Sequence, residues 1–340
     1  MRQATMTSPG VIEFGEVSAP SAGPGQVLMR IQRIGVCGTD VHVNHGKHPF
    51  TKYPVVQGHE FSAVVEAVGE GVTGIKPGMK VTARPQLVCG ECRACRRGQY
   101  NICENLRVRG FQAPGVAQDL FATEADKVVV LPDSFTPEQG AFVEPVAVAV
   151  HSTGRAGNLA GRSVVVMGAG PIGNFVAQSC RCRGARRVLI TDLSSYRLDV
   201  AREVGIEAVS NAGRESLADA AERAFDGEGF DLAMEAAGSE EAMNQAIRAI
   251  DKGGTIVVLG VFAAMPRIDM ARVGEHEISI VGTLMYKHED YLQAVEWIAS
   301  GHIKTEPLIS KHFAFEDYLL AYRYIDEQGD RSMKVFVDLW

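Results

Sequence analysis

Gly168, Gly170 and Gly173 stand directly behind the apolar run 164–167 and directly before a predicted helix opening at Pro171. G-x-G-x-x-G at a strand–helix junction constrains this 340-residue chain more than any other feature, because it requires strand, tight turn and helix in that order. The surroundings meet that requirement. Strands are predicted at 163–167, 187–191, 231–235, 255–259 and 277–281, with helices at 171–183, 195–204 and 240–250 between them. This alternation argues an α/β fold with a doubly wound parallel sheet and helices on both faces.

The three glycines have separate expected uses: the tight turn, backbone approach to a pyrophosphate, and close helix–strand packing. Pro171 and Ile172 begin the helix, whose free N–H groups and positive dipole end face the phosphates. Asp192, 19 residues after Gly173, ends the next strand. A carboxylate there accepts hydrogen bonds from ribose hydroxyls and repels a 2′-phosphate, which favours NAD over NADP. Arg197 reads either as a second ribose or phosphate contact or as a solvated helix-face arginine.

Before about residue 135 the texture is different. Short β-like runs at 27–34, 61–68, 80–83 and 127–131 are broken by Gly-Pro turns. Thr136, Pro137 and Gln139 then supply an N-cap, a first-turn proline and the third position of a capping box, so a helix is expected to begin there. Another is expected at 289–300, before a tail that ends in a strand-like run at 333–339.

Of seven cysteines, Cys89, Cys92, Cys95 and Cys103 follow C-x2-C-x2-C-x7-C. Four thiolates at such spacing close a tetrahedral zinc site with no open position, the structural kind. An iron–sulfur run would place the fourth cysteine after three residues and follow it with proline, whereas Glu104 follows Cys103. Arg93, Arg96 and Arg97 lack interleaved aromatics and read as a solvated face rather than a nucleic-acid contact. Cys180 and Cys182 are expected to be inert.

A second set is scattered: Cys37 in G-V-C-G-T-D, His59 and Glu60 after Gly58, and Glu144 before Pro145. Thiolate, imidazole and carboxylate are the ligand types of a catalytic zinc that keeps one position open. With the nucleotide fingerprint and the cysteine lobe, these motifs resemble the zinc-dependent medium-chain dehydrogenases, in particular the polyol branch beside butanediol and threonine dehydrogenases. The resemblance spans nearly the whole chain. It implies a GroES-like β-rich catalytic domain over 1–147 with its zinc lobe at about 87–107, a Rossmann domain over 148–287, and a return of 288–340 to the first domain. It also implies one catalytic and one structural zinc per subunit, NAD as cofactor, and a homo-oligomer, dimer or tetramer.

By position, Cys37 and His59 then look like ligands of the catalytic zinc, and Glu60 and Glu144 like the remaining carboxylates, in an order left open. Thr39 and His42 match the hydroxyl and imidazole of the family's proton relay. The chain departs from polyol members at Val43, where they carry tyrosine, and at Met285, where they carry arginine. A polyol secondary alcohol is the leading substrate, with a butanediol, threonine or a sugar acid as alternatives and a non-catalytic NAD sensor as the reading of another class. A net charge of −7 argues against nucleic acid or anionic membrane as partners, and no apolar run approaches membrane-helix length, so a cytoplasmic protein is expected.

Overall fold

A ten-residue strand, β3 (Gln26–Gly35), carries Val27, Met29, Ile31 and Ile34 into a core and pairs with three other strands. The computed structural model describes all 340 residues, in two units. The first comprises Met1–Glu144, Lys287–Ala299 and Ile309–Trp340. It opens on a hairpin of β1 (Arg2–Ser8) and β2 (Val11–Glu16), which the sequence pattern did not predict. Antiparallel to β3 run β4 (Glu60–Val68) and β8 (Leu120–Glu124), with β5 (Lys80–Ala83) and β9 (Val128–Val130) beyond β4. The other end of β3 pairs with β17 (Lys334–Asp338), which pairs in parallel with β16 (Ile309–Ala314).

Strand register places Gly35 opposite Phe336 on one side and opposite Glu60 on the other. The core gathers Ile31, Phe61, Val65, Val81 and Phe121 with Val335 and Val337 of β17 and Tyr318 and Tyr322 of a late helix. Inserted between strands are α1 (Gly38–Asn44) and the cysteine lobe, made of β6 (Gln86–Leu87), α2 (Arg93–Arg96) and β7 (Arg107–Val108). The expected capping box holds: Thr136 N–H donates to Gln139 Oε1 at 2.9 Å, and Gln139 N–H returns to Thr136 Oγ1 at 3.2 Å. It starts α3 (Pro137–Arg155), within which the division between units falls at Glu144 and Pro145.

The second unit comprises Pro145–Tyr286 and Ser300–Leu308. Its strands are β10 (Ser163–Met167), β11 (Arg187–Asp192), β12 (Ala208–Asn211), β13 (Leu232–Glu235), β14 (Thr255–Val258) and β15 (Ser279–Gly282). They form one parallel sheet in the order β12-β11-β10-β13-β14-β15. The connecting helices are α4 (Pro171–Cys182), α5 (Ser195–Glu203), α6 (Leu217–Phe225), α7 (Glu240–Ala249) and α8 (Met270–Glu275). This is the doubly wound GroES-plus-Rossmann class expected, though β12 and α6 were not predicted; Ser216 caps α6 by accepting from Asp219 N–H.

The tail supplies α9 (His288–Ala299) and α10 (Tyr318–Gln328) to the first unit. Between them Ser300–Leu308 groups with the second unit, whereas the expected boundary placed all of 288–340 with the first. The physical reason is local: Gln178 of α4 donates to Lys304 O at 3.2 Å and accepts from Lys304 N–H at 2.7 Å. No helix is long and apolar enough to cross a membrane.

Candidate metal and nucleotide sites

Cys37 is the N-cap of α1, and its own N–H donates to Asp40 Oδ2 at 3.0 Å. This box explains why cysteine, glycine, threonine and aspartate stand together: it ends β3 and turns the thiol inward. Gly58, at φ +90°, then turns the chain into β4, presenting His59 and Glu60. The Cys37 thiol, the His59 ring and the Glu60 carboxylate each offer a ligand atom within 4.8 Å of the others, and His59 and Glu60 are buried. A β-carbon on Gly35, opposite Glu60, would overlap Glu60 Oε2, so a side chain there would displace that carboxylate.

Asp40, fully buried, lies with Oδ1 3.6 Å from His59 Nδ1. Burial works against a protonated His59, but the charges of Asp40 and Cys37 outweigh it and leave its pKa well above the usual imidazole value. Without metal the ring keeps its proton, which a bound cation must displace, and thiolate, imidazole and carboxylate together fit zinc. The Glu144 carboxylate, buried on α3, is not one of this close group, although the sequence sets it beside Cys37 and His59 as a ligand candidate; its charge is nevertheless felt by Lys334. Thr39 and His42 stand three apart on α1, hence on one face, the first half-buried and the second exposed.

Lys334 was missed altogether. Its Nζ donates to Glu60 at 2.8 and 2.5 Å and to Val36 O at 3.0 Å. The available signal was one lysine between Met333 and the apolar triplet 335–337 of a strand-like run. Phe111 was missed too; its ring packs 4.8 Å from His59 and 5.1 Å from His48, which nothing in its local sequence announces.

Cys89, Cys92, Cys95 and Cys103 also come within 4.8 Å of one another. Backbone N–H groups point at the sulfurs: Cys92 N–H donates to Cys89 Sγ at 3.3 Å and Cys95 N–H to Cys92 Sγ at 3.4 Å. The N–H groups of Glu91 and Cys92 pull the Cys89 thiol down to about 6, while desolvation and the neighbouring thiols push Cys95 up to about 12. Four thiolates cannot coexist here without a cation among them, which is the donor chemistry of a closed zinc site. Cys180, fully buried, is raised by desolvation, and Cys182 is pushed up to about 11, as inert thiols would be.

In the second unit the order of strands reverses between β10 and β13, and the glycine loop lies at the carboxyl end of β10. Gly168 sits at φ +96°, and Gly170 caps α4 ahead of Pro171, with Pro171 and Ile172 half-exposed in the first turn. The third glycine lets α4 come close to the end of β10: a β-carbon on Gly173 would overlap the carbonyl of Gly168, the residue that follows the strand. Asn174, a residue not anticipated, ties the loop by donating to Ala169 O at 2.6 Å. Asp192 accepts from Ala169 N–H at 2.6 Å and from Ser194 N–H at 2.8 Å. Arg197 holds a guanidinium nitrogen 3.9 Å from where a β-carbon of Gly170 would stand, over the phosphate loop.

Residues 23–133 match the alcohol dehydrogenase GroES-like domain, and residues 171–300 the zinc-binding dehydrogenase domain. An L-threonine 3-dehydrogenase of Rhizobium etli is 34% identical over 95% of this chain and 94% of its own. The chain belongs to the zinc-dependent medium-chain dehydrogenases. A 2-dehydro-3-deoxy-L-galactonate 5-dehydrogenase of Pseudoalteromonas atlantica is likewise 34% identical over 95% of this chain and 94% of its own. Among solved structures, an Escherichia coli alcohol dehydrogenase complexed with NADH superposes with a TM-score of 0.92 at 27% identity, covering 100% of this chain and 99% of the other. The dehydrogenase is therefore an alcohol-oxidising enzyme of zinc and nicotinamide chemistry with a small-molecule substrate.

Proposed function

We propose that the dehydrogenase oxidises a secondary alcohol of a polyhydroxylated small molecule, with NAD as hydride acceptor. The observation that carries this reading is the convergence of Cys37, His59 and Glu60 within 4.8 Å. Those three residues are the proposed protein ligands of the catalytic zinc, with Glu144 behind them. Zinc at that position supplies Lewis acidity toward the substrate hydroxyl. Thr39 Oγ1 accepts the hydroxyl proton as its own hydroxyl proton is handed on, and exposed His42, one helical turn on, takes up a proton from this relay and releases one to solvent. The cysteine lobe holds the structural zinc. Gly168, Gly170 and the first turn of α4 hold the pyrophosphate, Asp192 the adenosine ribose, and Arg197 a phosphate or the ribose.

A second reading, an anionic sugar acid, draws on one observation. From residue 41 to 57 the chain carries Lys47, Lys52 and three histidines but no carboxylate, in a protein of net charge −7. A cavity of about 620 Å³ in the same unit is lined by Lys52, Phe50, Gln112 and the Phe111 ring that packs on His59. Steady-state turnover over polyols, vicinal diols, threonine and hexonates separates the readings. Hexonates exceeding neutral polyols in kcat/KM would favour the second, and dinucleotide binding without turnover on any of them would favour a non-catalytic sensor.

A homo-oligomer is proposed as well. β15 ends the parallel sheet as an edge strand, with Ile280 on it and Leu284 just after it open to solvent, and Val261 and Met265, also exposed, follow the neighbouring strand β14 in sequence. Light scattering of purified protein tests it, and a monomer at micromolar concentration would refute it.

A further inference from the structure

Lys334 is the only lysine or arginine among the fully buried residues, with 4% exposure. Its three ammonium donors are spent on three acceptors: both oxygens of Glu60 and the carbonyl of Val36, the residue before Cys37. It reaches them from β17, whose Phe336 lies opposite Gly35, while Gly35 lies opposite Glu60 on β4. One ammonium thus ties together the three strands that present the cluster, and it takes hold of the same carboxylate that completes the Cys37–His59–Glu60 group.

We propose that Lys334 is a positioning residue, an internal counter-cation that competes with the metal for Glu60. Its geometry has two consequences. Without metal, Lys334 compensates a carboxylate that would otherwise be buried and uncompensated, so the site keeps its shape. With metal, a Glu60 oxygen serves two cations at once, which weakens it as a donor and makes Glu60 the protein ligand most readily released. The inference rests on the reading that Cys37, His59 and Glu60 hold zinc.

The test is zinc retention rather than turnover. Holoenzyme and Lys334→Met are challenged with a chelator, and release of the zinc at Cys37 is followed against the lobe zinc as internal reference. With the competitor gone, Lys334→Met should lose that zinc about tenfold more slowly; groups beside metal ligands change affinity on this scale, and here the sign is reversed because the neighbour is a rival cation. The rise in melting temperature on adding zinc to metal-free protein should also be larger than in the native chain. Lys334→Arg, which keeps the charge and can take both oxygens of Glu60, should release zinc at the native rate. A merely structural lysine predicts the opposite sign, because a loosened site loses metal faster. Lys334→Met that binds NADH normally yet loses zinc at the native rate or faster overturns the proposal. If Lys334→Met is recovered unfolded, zinc present during refolding should restore it, since the metal replaces the missing cation; failure of that rescue also overturns the proposal. Native protein with a single zinc per chain would instead overturn the zinc assignment on which it rests.

Discussion

Asp192→Ala separates two tasks that one carboxylate performs. In the native chain Oδ2 accepts from Ala169 N–H at 2.6 Å and Oδ1 from Ser194 N–H at 2.8 Å, while the same group faces the proposed ribose site. Losing a charge-assisted hydrogen bond to the ribose costs about 1.5–3 kcal/mol, which weakens NADH binding by about 10- to 150-fold. NADPH gains instead. A unit charge about 5 Å from a 2′-phosphate of charge about −2 repels it by about 1.7 kcal/mol even at the dielectric constant of water. The ratio of the two dissociation constants should therefore shift by about 200- to 3,000-fold toward NADPH. Loosening of the glycine loop affects both dinucleotides alike and cancels in that ratio. Titration of dihydronicotinamide fluorescence gives both constants, and far-UV circular dichroism checks the fold. A shift of less than about fivefold in a folded variant would mean that Asp192 only pins the turn, and the ribose assignment would fall.

Gly35→Ala should cost about 1–3 kcal/mol of stability through overpacking, read as a lowered urea midpoint, and deplete the zinc at Cys37, because the new methyl overlaps Glu60 Oε2 and lies 3.4 Å from Phe336; full zinc content by metal analysis contradicts this. Cys95→Ser should release the lobe zinc and lower the melting temperature while turnover per folded molecule persists, since a closed site contributes folding energy; a stable but inactive variant reverses the two zinc roles. Glu124→Gln probes acid stability. Burial opposes ionisation of Glu124, but its backbone N–H, Lys127 at 3.0 Å and the Thr123 hydroxyl win and bring it down to about 2. A depressed carboxyl contributes stability above its ordinary value of 4.5 and loses it as pH falls toward 2, so the gap in urea midpoint between native and variant should be widest near neutrality and close over that window. A gap unchanged from pH 5 to pH 2.5 would contradict the assignment.

What could be read from the chain alone depends on how local each device is. The phosphate loop and the Thr136–Gln139 box each lie within a few residues of sequence and the four-cysteine lobe within about fifteen, so spacing carries the geometry. The Cys37–Asp40 box is equally local. Lys334 meets Glu60 across 274 residues, and Tyr322 donates to Gln57 across 265, and no periodicity relates such positions. The choice between Glu60 and Glu144 was illegible for the same reason. It depends on a strand register that sets Glu60 opposite Gly35 and on a helix that sets Glu144 apart from the close group. The β1–β2 hairpin escaped notice because its second strand is exposed along nearly its whole length and lacks apolar alternation.

The nucleotide loop shows how a long-range arrangement can make a local motif rigid. β11 and β13 flank β10, and each ends in a carboxylate that folds back onto backbone N–H groups. Asp192 holds Ala169 inside the loop. Glu235, fully buried, accepts from Ala237 N–H at 3.0 Å and Gly238 N–H at 2.8 Å. The turn Glu235 pins is the one that closes on Gly168, whose absent β-carbon would stand 3.0 Å from the Ala236 carbonyl carbon and from Ala237 N. Burial raises the Glu235 pKa despite those N–H donors, so this clamp carries an electrostatic cost that the turn must offset. A phosphate loop held from both neighbouring strands loses little conformational freedom when it meets its ligand, so more of the contact energy appears as affinity. The glycines make the approach possible, and the two carboxylates, which the G-x-G-x-x-G pattern does not include, hold the loop in position for it.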